Sequence, residues 1–304
     1  MLHKVMLFAL LSLFFFSNTP AHASPVDTYE FENEVTSSEQ MWDIFNGFNE
    51  NKKTSQLIKA AEYMLNNVPT DSLASSLLDS SVADTSKRDL IFGLGISASD
   101  EAENYLINVL NDLPAGAGDQ VDIQKVRVMV ALSGNGKVTE TSYTSLEDVL
   151  TKPGESNNVK SNALINMGSV VTQLDNNNQS TNHLKDSLTK HVTEQLDTSN
   201  AAAAILAAGN AKLDNLDDSY LTKLSTGKTK ERYAAGTVLG RNEQHYDVLI
   251  THVASEDSSL VVNAIVTSLD AKALSSEQAG DLQNIANQDS GDKGKILQSF
   301  LDRR

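Results

Sequence analysis

Two glycine-containing segments of this chain come closest to a nucleotide site. Gly93–Ala98 fits the loose pattern G-x-G-x-x-A, in which glycines let the backbone approach a pyrophosphate. That pattern requires a preceding strand, whereas the residues before Gly93 have helical spacing. Gly134–Lys137 resembles half of a phosphate-binding loop, but Ala131 and Val138 stand where that loop needs a glycine and a magnesium-binding hydroxyl. We therefore expect no cofactor.

The histidines do not have the spacing of metal ligands. His245 and His252 are seven residues apart on one predicted helix, which places them about 10.5 Å apart along its axis. Two histidines that bind one metal from a helix stand four residues apart. The chain has no cysteine and no G-x-S-x-G motif, so thiolate ligands and the usual hydrolase nucleophiles are absent. We expect no metal site, no catalytic residues and a protein that is not an enzyme.

A ring residue recurs near the start of several predicted helices. Tyrosine offers a large contact area at low entropic cost, which suits protein recognition. We therefore predict that these residues contact a protein partner, with packing between helices as the alternative. The predicted contact residues are Tyr105, Tyr143, His183, Tyr220 and Tyr246.

The elements that carry these residues are helices. Apolar residues at i, i+3 and i+4 spacing predict fifteen helices between Ser55 and Arg303, among them Lys87–Leu94 and Thr144–Leu150. The connections are short and rich in Gly, Asn, Asp and Ser, as helix caps and turns require. Alternating β-branched runs are nearly absent. The sequence therefore predicts an all-α fold.

The helices repeat in pairs. An apolar helix rich in small residues ends near a marker residue and is followed by a polar turn and a second helix, at steps of about 30 to 41 residues. Helix-pair solenoids have this period, and three or more units are needed for stability. Glycine at a helix end suggests the left-handed conformation of a C-terminal cap. The markers are Gly95, Gly134, Gly168, Gly209, Gly240 and Asp270.

The N-terminal residues divide into three parts. Residues 1–23 have a basic start, a short apolar run and the ending Ala21-His22-Ala23, which is typical of a secretory signal peptide. Residues 24–37 are acidic and aperiodic, and we expect an extended leader. Ser38–Phe48 has helical spacing and predicts a helix that caps the first repeat of a solenoid over 38–304.

Charge and hydropathy limit the classes of partner that we expect for this chain. The chain has 24 basic and 40 acidic residues and a net charge of −16. Phosphate binding needs clusters of Lys and Arg, so we expect no nucleic-acid partner. A cationic protein partner fits this charge, although the acids also serve as solvated helix faces that maintain solubility. No later apolar stretch is long enough to span a bilayer, so we expect an exported protein, periplasmic or secreted, with no transmembrane segment after signal cleavage.

Two family resemblances bear on the fold. Arg232–Gly240 (RYAAGTVLG) resembles the R-x-x-A-x-x-x-L-G core of HEAT repeats. Ser161–Val171 and Ala203–Asn210 resemble consecutive helices in the superhelical domain of vitellogenin-like large lipid transfer proteins. These resemblances imply a right-handed α-α superhelix.

The second resemblance covers only the helical scaffold. Vitellogenin-like proteins have a β-barrel before the superhelix and lipid-enclosing sheets after it, and the sequence predicts neither here. We therefore expect an exported, non-enzymatic scaffold that binds another exported protein through the concave face of the solenoid. The alternative is a lipid or small-molecule binding protein related to the vitellogenin-type domain.

Overall fold

The fold is known from a computed structural model, which describes residues 35, 37, 40–41, 44–45, 54–213 and 216–303. The predicted signal peptide and almost all of the predicted leader lie outside the described residues. Of the predicted capping helix, Gln40, Met41, Ile44 and Phe45 are described and are helical. Met41 and Phe45 are buried, whereas Trp42 lies outside the described part.

The described residues from 54 to 303 form helices joined by short connections and include no β-strand, which confirms the all-α prediction. All fifteen predicted helices are present, and several are longer than predicted: Lys87–Leu94 lies within Asp84–Ile96, and Thr144–Leu150 lies within Glu140–Thr151. The first seven are α1 Thr54–Asn67, α2 Thr70–Leu78, α3 Asp84–Ile96, α4 Asp100–Asp112, α5 Asp119–Ser133, α6 Glu140–Thr151 and α7 Asn157–Asn176. The next eight are α8 Asn182–Gln195, α9 Ala201–Asn210, α10 Asp217–Thr226, α11 Thr229–Leu239, α12 Tyr246–Ser255, α13 Ser259–Ser268, α14 Ser276–Gln288 and α15 Asp292–Leu301. A short 3-10 turn, Glu243–His245, leads into α12.

The helices form two compact units, the first ending at Thr181 and the second beginning at Asn182. In unit 1 the odd-numbered helices α1, α3, α5 and α7 contact one another in succession, and so do the even-numbered helices α2, α4 and α6. We call the odd-numbered helices the first helices and the even-numbered ones the second helices. Unit 1 is therefore a two-layer array of helix pairs.

Unit 2 has the same internal order. Its first helices α9, α11, α13 and α15 contact one another in succession, and its second helices α12 and α14 are in contact. Helix α10 packs on α11, and α14 packs on α15. Both units therefore have the alternating order that the repeat in the sequence predicts.

Polar side chains also connect consecutive first helices near their C-terminal ends. Gln173 donates from its side-chain amide to the carbonyl oxygen of Ser133, 40 residues earlier. Arg241 donates to the carbonyl oxygen of Gly209, and Ser268 donates to that of Gly236, each 32 residues earlier. These bonds join one repeat to the next at the predicted period.

The predicted role of the marker glycines as left-handed caps is wrong. The described glycines with positive φ are Gly116, Gly118 and Gly154, and all three lie in connections. Gly209 instead lies inside α9, where a Cβ atom would stand 2.3 Å from Cγ2 of Val238 on α11. Gly95 would place a Cβ atom 3.0 Å from the carbonyl oxygen of Ala131 on α5. These glycines allow consecutive first helices to approach closely.

Candidate partner-binding face

The five predicted contact residues lie at the expected positions along the helices, but most of their side chains are buried and not exposed as predicted. All of them lie on second helices or at their starts. His183 is exposed. The four tyrosine rings are buried, with exposed fractions of 8% for Tyr105, 2% for Tyr143, 1% for Tyr220 and 3% for Tyr246. A buried ring has no free face for a partner, so their burial argues against the predicted partner contacts.

Two of the tyrosines connect neighbouring helix pairs. The hydroxyl of Tyr105 on α4 donates to the carbonyl oxygen of Val68, which follows α1, at 2.9 Å. The hydroxyl of Tyr246 on α12 accepts from the backbone N–H of Asp270, which follows α13, at 2.9 Å. Burial, and secondly the charge of Asp71, raises the pKa of Tyr105. These rings therefore pack between repeats, which was the alternative to recognition.

Tyr220 differs because its buried hydroxyl has no hydrogen-bond partner among the described residues. Burial and then the nearby Asp217 carboxylate raise its pKa. Asp217 itself accepts from Nε2 of His245 at 2.9 Å and from the side-chain amide of Gln244 at 3.2 Å. The His245–Asp217 contact joins α10 to the turn before α12, so this cluster is another connection between second helices.

The second helices of unit 1 differ from the first helices because their only charged residues are acids. Helices α2, α4 and α6 contain eight acidic residues and no lysine or arginine. The first helices α1, α3, α5 and α7 contain six basic residues, and several of these are paired: Arg127 with Asp84 at 2.7 Å, and Lys125 with Glu155. The eight acids are Asp71, Asp100, Glu101, Glu103, Asp112, Glu140, Glu147 and Asp148.

Most of these acids face solvent. Within the described part of the chain, Asp100, Glu101, Asp112 and Asp148 are exposed and make no ion pair. The nearest lysines in sequence to α6 are Lys137 and Lys152, in the connections at its two ends. We call the exposed side of α2, α4 and α6 the acidic face. The acidic face is a set of anionic side chains on three successive second helices of unit 1.

Glu103 is the exception, because it faces inward. Its side chain is buried, and its Oε1 accepts from the backbone N–H of Thr139 at 2.7 Å, from the Thr139 hydroxyl at 3.0 Å and from the Ser142 hydroxyl. Anionic groups are favourable at a helix N-terminus because the first N–H groups lack intrahelical partners. Glu103 therefore connects α4 to the start of α6, a role that helical spacing alone did not indicate.

Unit 2 contains a denser polar cluster around Glu256. Its carboxylate accepts from Arg232 at 2.8 and 3.0 Å, from His252 at 3.0 Å and from the N–H of Ser258 at 2.8 Å. Burial alone would raise the pKa of Glu256, but these donors together lower it to about 2. The cluster joins α11 to the connection between α12 and α13. Since the carboxylate is engaged by three groups and almost fully buried, we interpret it as a structural ion pair.

The remaining candidates for chemistry give no site. Among the described residues there is no group of three or more His, Cys, Asp or Glu side chains that could hold a metal ion. Gly93–Ala98 includes the end of α3, and Gly134 caps the C-terminus of α5, so neither glycine pattern follows a strand. Over the same residues, no helix combines the length and apolarity needed to cross a membrane.

Comparisons with known proteins add no identification. No protein-family model matches this chain, and no curated protein matches it either. The support for a binding role of the acidic face therefore comes from the geometry and charge of this chain alone.

Proposed function

We propose that this protein is an exported, non-enzymatic scaffold of HEAT-like repeats, wound as a right-handed superhelix, that binds another exported protein. The acidic face of α2, α4 and α6 is the contact surface, and the partner presents a basic surface. The observation that carries this proposal is the charge of the second helices in unit 1, which carry acids and no lysine or arginine, whereas the first helices carry residues of both signs. Complementary charge speeds encounter and fixes orientation at protein interfaces.

The proposed contact surface is the solvent side of the second helices of unit 1 and not the tyrosines that the sequence predicted as contact residues. The rings of Tyr105 and Tyr246 pack between repeats, and the exposed acids of α2, α4 and α6 are presented to solvent. Helical-repeat proteins use extended surfaces of this kind for binding. Export rests on the signal-peptide pattern of residues 1–23, which lie outside the described residues.

A protein partner is favoured over a lipid cargo. Unit 1 contains a cavity of about 240 Å³ beside α1 and α2. Ligand sites for small molecules are typically roughly 300 to 1,000 Å³. This cavity is smaller than that range, so it gives no support to a lipid cargo.

Charge reversal on the acidic face tests the proposal. Asp112→Lys with Asp148→Lys places two cations near the ends of α4 and α6, where the helix dipole favours positive charge. Asp218→Lys with Asp281→Lys changes the net charge equally at exposed positions of unit 2. With the tagged protein as bait in the exported fraction, we expect the first pair to lose the partner and the second pair to retain it. Equal capture by both pairs would contradict the proposal.

A further inference from the structure

A cavity at the first helix pair of unit 1 lies beside the acidic face. Its floor is apolar and buried, and its rim is formed by the turn between α1 and α2 and by two serines of α2. Ser72 on that rim is exposed, and Ser76 is half-buried. The lining residues of the floor are Met41, Met64, Leu73 and Leu90, and those of the rim include Asn67, Pro69, Ser72 and Ser76.

The volume of the cavity fits one large side chain. At about 240 Å³ it is smaller than a typical small-molecule site. Methionine and leucine side chains adapt to a ring or a branched apolar group, and interface hot spots are commonly single apolar side chains in such pockets.

The charge at the rim is anionic. Asp71 is exposed, and its Oδ1 accepts from the N–H of Ser72, a rim residue, at 2.7 Å. Its charge also acts on the hydroxyl of Tyr105, which is bonded to the rim carbonyl of Val68. Within the described part of the chain, the residues that line the cavity include no lysine or arginine. A cationic group that approaches the rim therefore meets the carboxylate of Asp71.

We propose that this cavity holds one large apolar side chain of a basic partner segment, with Lys or Arg residues beside that side chain paired to Asp71 and the acidic face. This inference rests on the proposed function and names the anchor of the same interface. The partner is thus a protein segment in which an apolar residue is flanked by basic residues.

Three short peptides with a fluorescein label test the pocket by anisotropy against the chain from Ser24 onward. They are Gly-Lys-Lys-Trp-Lys-Lys-Gly, the same peptide with Ser in place of Trp, and Gly-Ser-Ser-Trp-Ser-Ser-Gly. Burying the Trp ring should make the first peptide bind about tenfold tighter than the Ser peptide. The Trp peptide with lysines should also bind more tightly than the Trp peptide with serines, because its lysines pair with Asp71 and the acidic face. Equal binding of the two Trp peptides would assign the cavity to an apolar ligand and overturn the basic partner.

Two matched pairs of variants locate the binding. Ser72→Trp fills the rim, whereas Ser75→Trp adds the same ring at an exposed position of α2 that does not line the cavity. We expect Ser72→Trp to abolish the tenfold preference for the Trp peptide and Ser75→Trp to keep it. Asp71→Lys should weaken binding about threefold, whereas Asp218→Lys, in the first turn of α10, should not. Equal effects within either pair would overturn the proposal.

Failure of this inference is distinguishable from failure of the proposed function. If Ser72→Trp leaves peptide binding unchanged while Asp112→Lys with Asp148→Lys still abolishes capture of the exported partner, the acidic face stands and the anchor pocket is wrong. A circular dichroism spectrum and a melting temperature for each variant exclude loss of folding as the cause.

Discussion

At the scale of single residues, two glycines inside helices of unit 2 differ in the space that a side chain would have. Gly209 lies where a methyl group would meet the β-branched side chain of Val238, whose rotamers are restricted. Gly280 on α14 has open space in place of a Cβ atom. We therefore expect that replacing these two glycines with alanine changes stability in opposite directions, although both lie inside helices of unit 2.

We predict that Gly209→Ala lowers the free energy of unfolding by about 1 to 3 kcal/mol, because it overpacks the contact between α9 and α11. Gly280→Ala should raise it by about 0.5 to 1 kcal/mol, because alanine reduces the freedom of the unfolded chain. Urea unfolding followed by circular dichroism measures both. Adding Val238→Ala to Gly209→Ala should recover part of the loss, and no recovery would contradict a clash at that contact.

The Glu256 cluster makes the stability of unit 2 depend on pH. Its pKa in the folded protein is about 2, against 4.5 for an ordinary glutamate. A lowered pKa means that the unfolded chain takes up the proton first, so the stabilisation is complete above about pH 4.5 and is lost as the pH falls towards 2. The loss for this one group is about 3 kcal/mol.

Thermal melts of the protein and of Glu256→Gln between pH 6 and 2 test that expectation. The variant should be less stable at pH 6, and the difference in melting temperature should shrink as the pH falls to 2. A constant difference over this range would show that the carboxylate charge is not what stabilises the connection between α12 and α13.

At the scale of helices, the buried tyrosines Tyr105 and Tyr220 differ in whether the hydroxyl group makes a hydrogen bond with another described residue. Tyr105→Phe removes the hydroxyl bonded to Val68 and should cost about 0.5 to 1.5 kcal/mol. Tyr220→Phe removes a buried hydroxyl without a partner and should be neutral or stabilising, by up to about 1 kcal/mol. Differential scanning calorimetry of the two variants gives the comparison. Equal losses of stability in the two variants would show that the buried Tyr220 hydroxyl does make a hydrogen bond.

The sequence predicted the helices well and their faces less well. Helical spacing placed all fifteen helices, and the repeat of small residues predicted the succession of first helices. It could not show that Tyr143 points into the core, because a ring at the edge of an apolar stripe suits either an interface or a core. Glu103 was missed for a similar reason, since its bonds go to Thr139 and Ser142, more than thirty residues away.

At the scale of the whole molecule, the two units differ in the charge of their second helices. In unit 1 none of these helices has a lysine or arginine. In unit 2, α12 and α14 also lack them, but α8 carries Lys185 and Lys190 and α10 carries Lys223. A basic partner should therefore bind unit 1 in preference to unit 2. This difference was readable from the sequence once the helices were assigned to layers, and the net charge of −16 alone did not reveal it.

The most direct test is the salt dependence of binding to the captured partner. Dissociation constants would be measured by titration calorimetry at 50 and 300 mM NaCl for the protein, for Asp112→Lys with Asp148→Lys, and for Asp218→Lys with Asp281→Lys. We predict that salt weakens binding of the protein and of the unit 2 variant alike, since exposed charges are screened. The acidic-face variant should bind weakly at 50 mM and respond little to salt. Binding that ignores salt, or that both variants weaken equally, would contradict recognition through the acidic face.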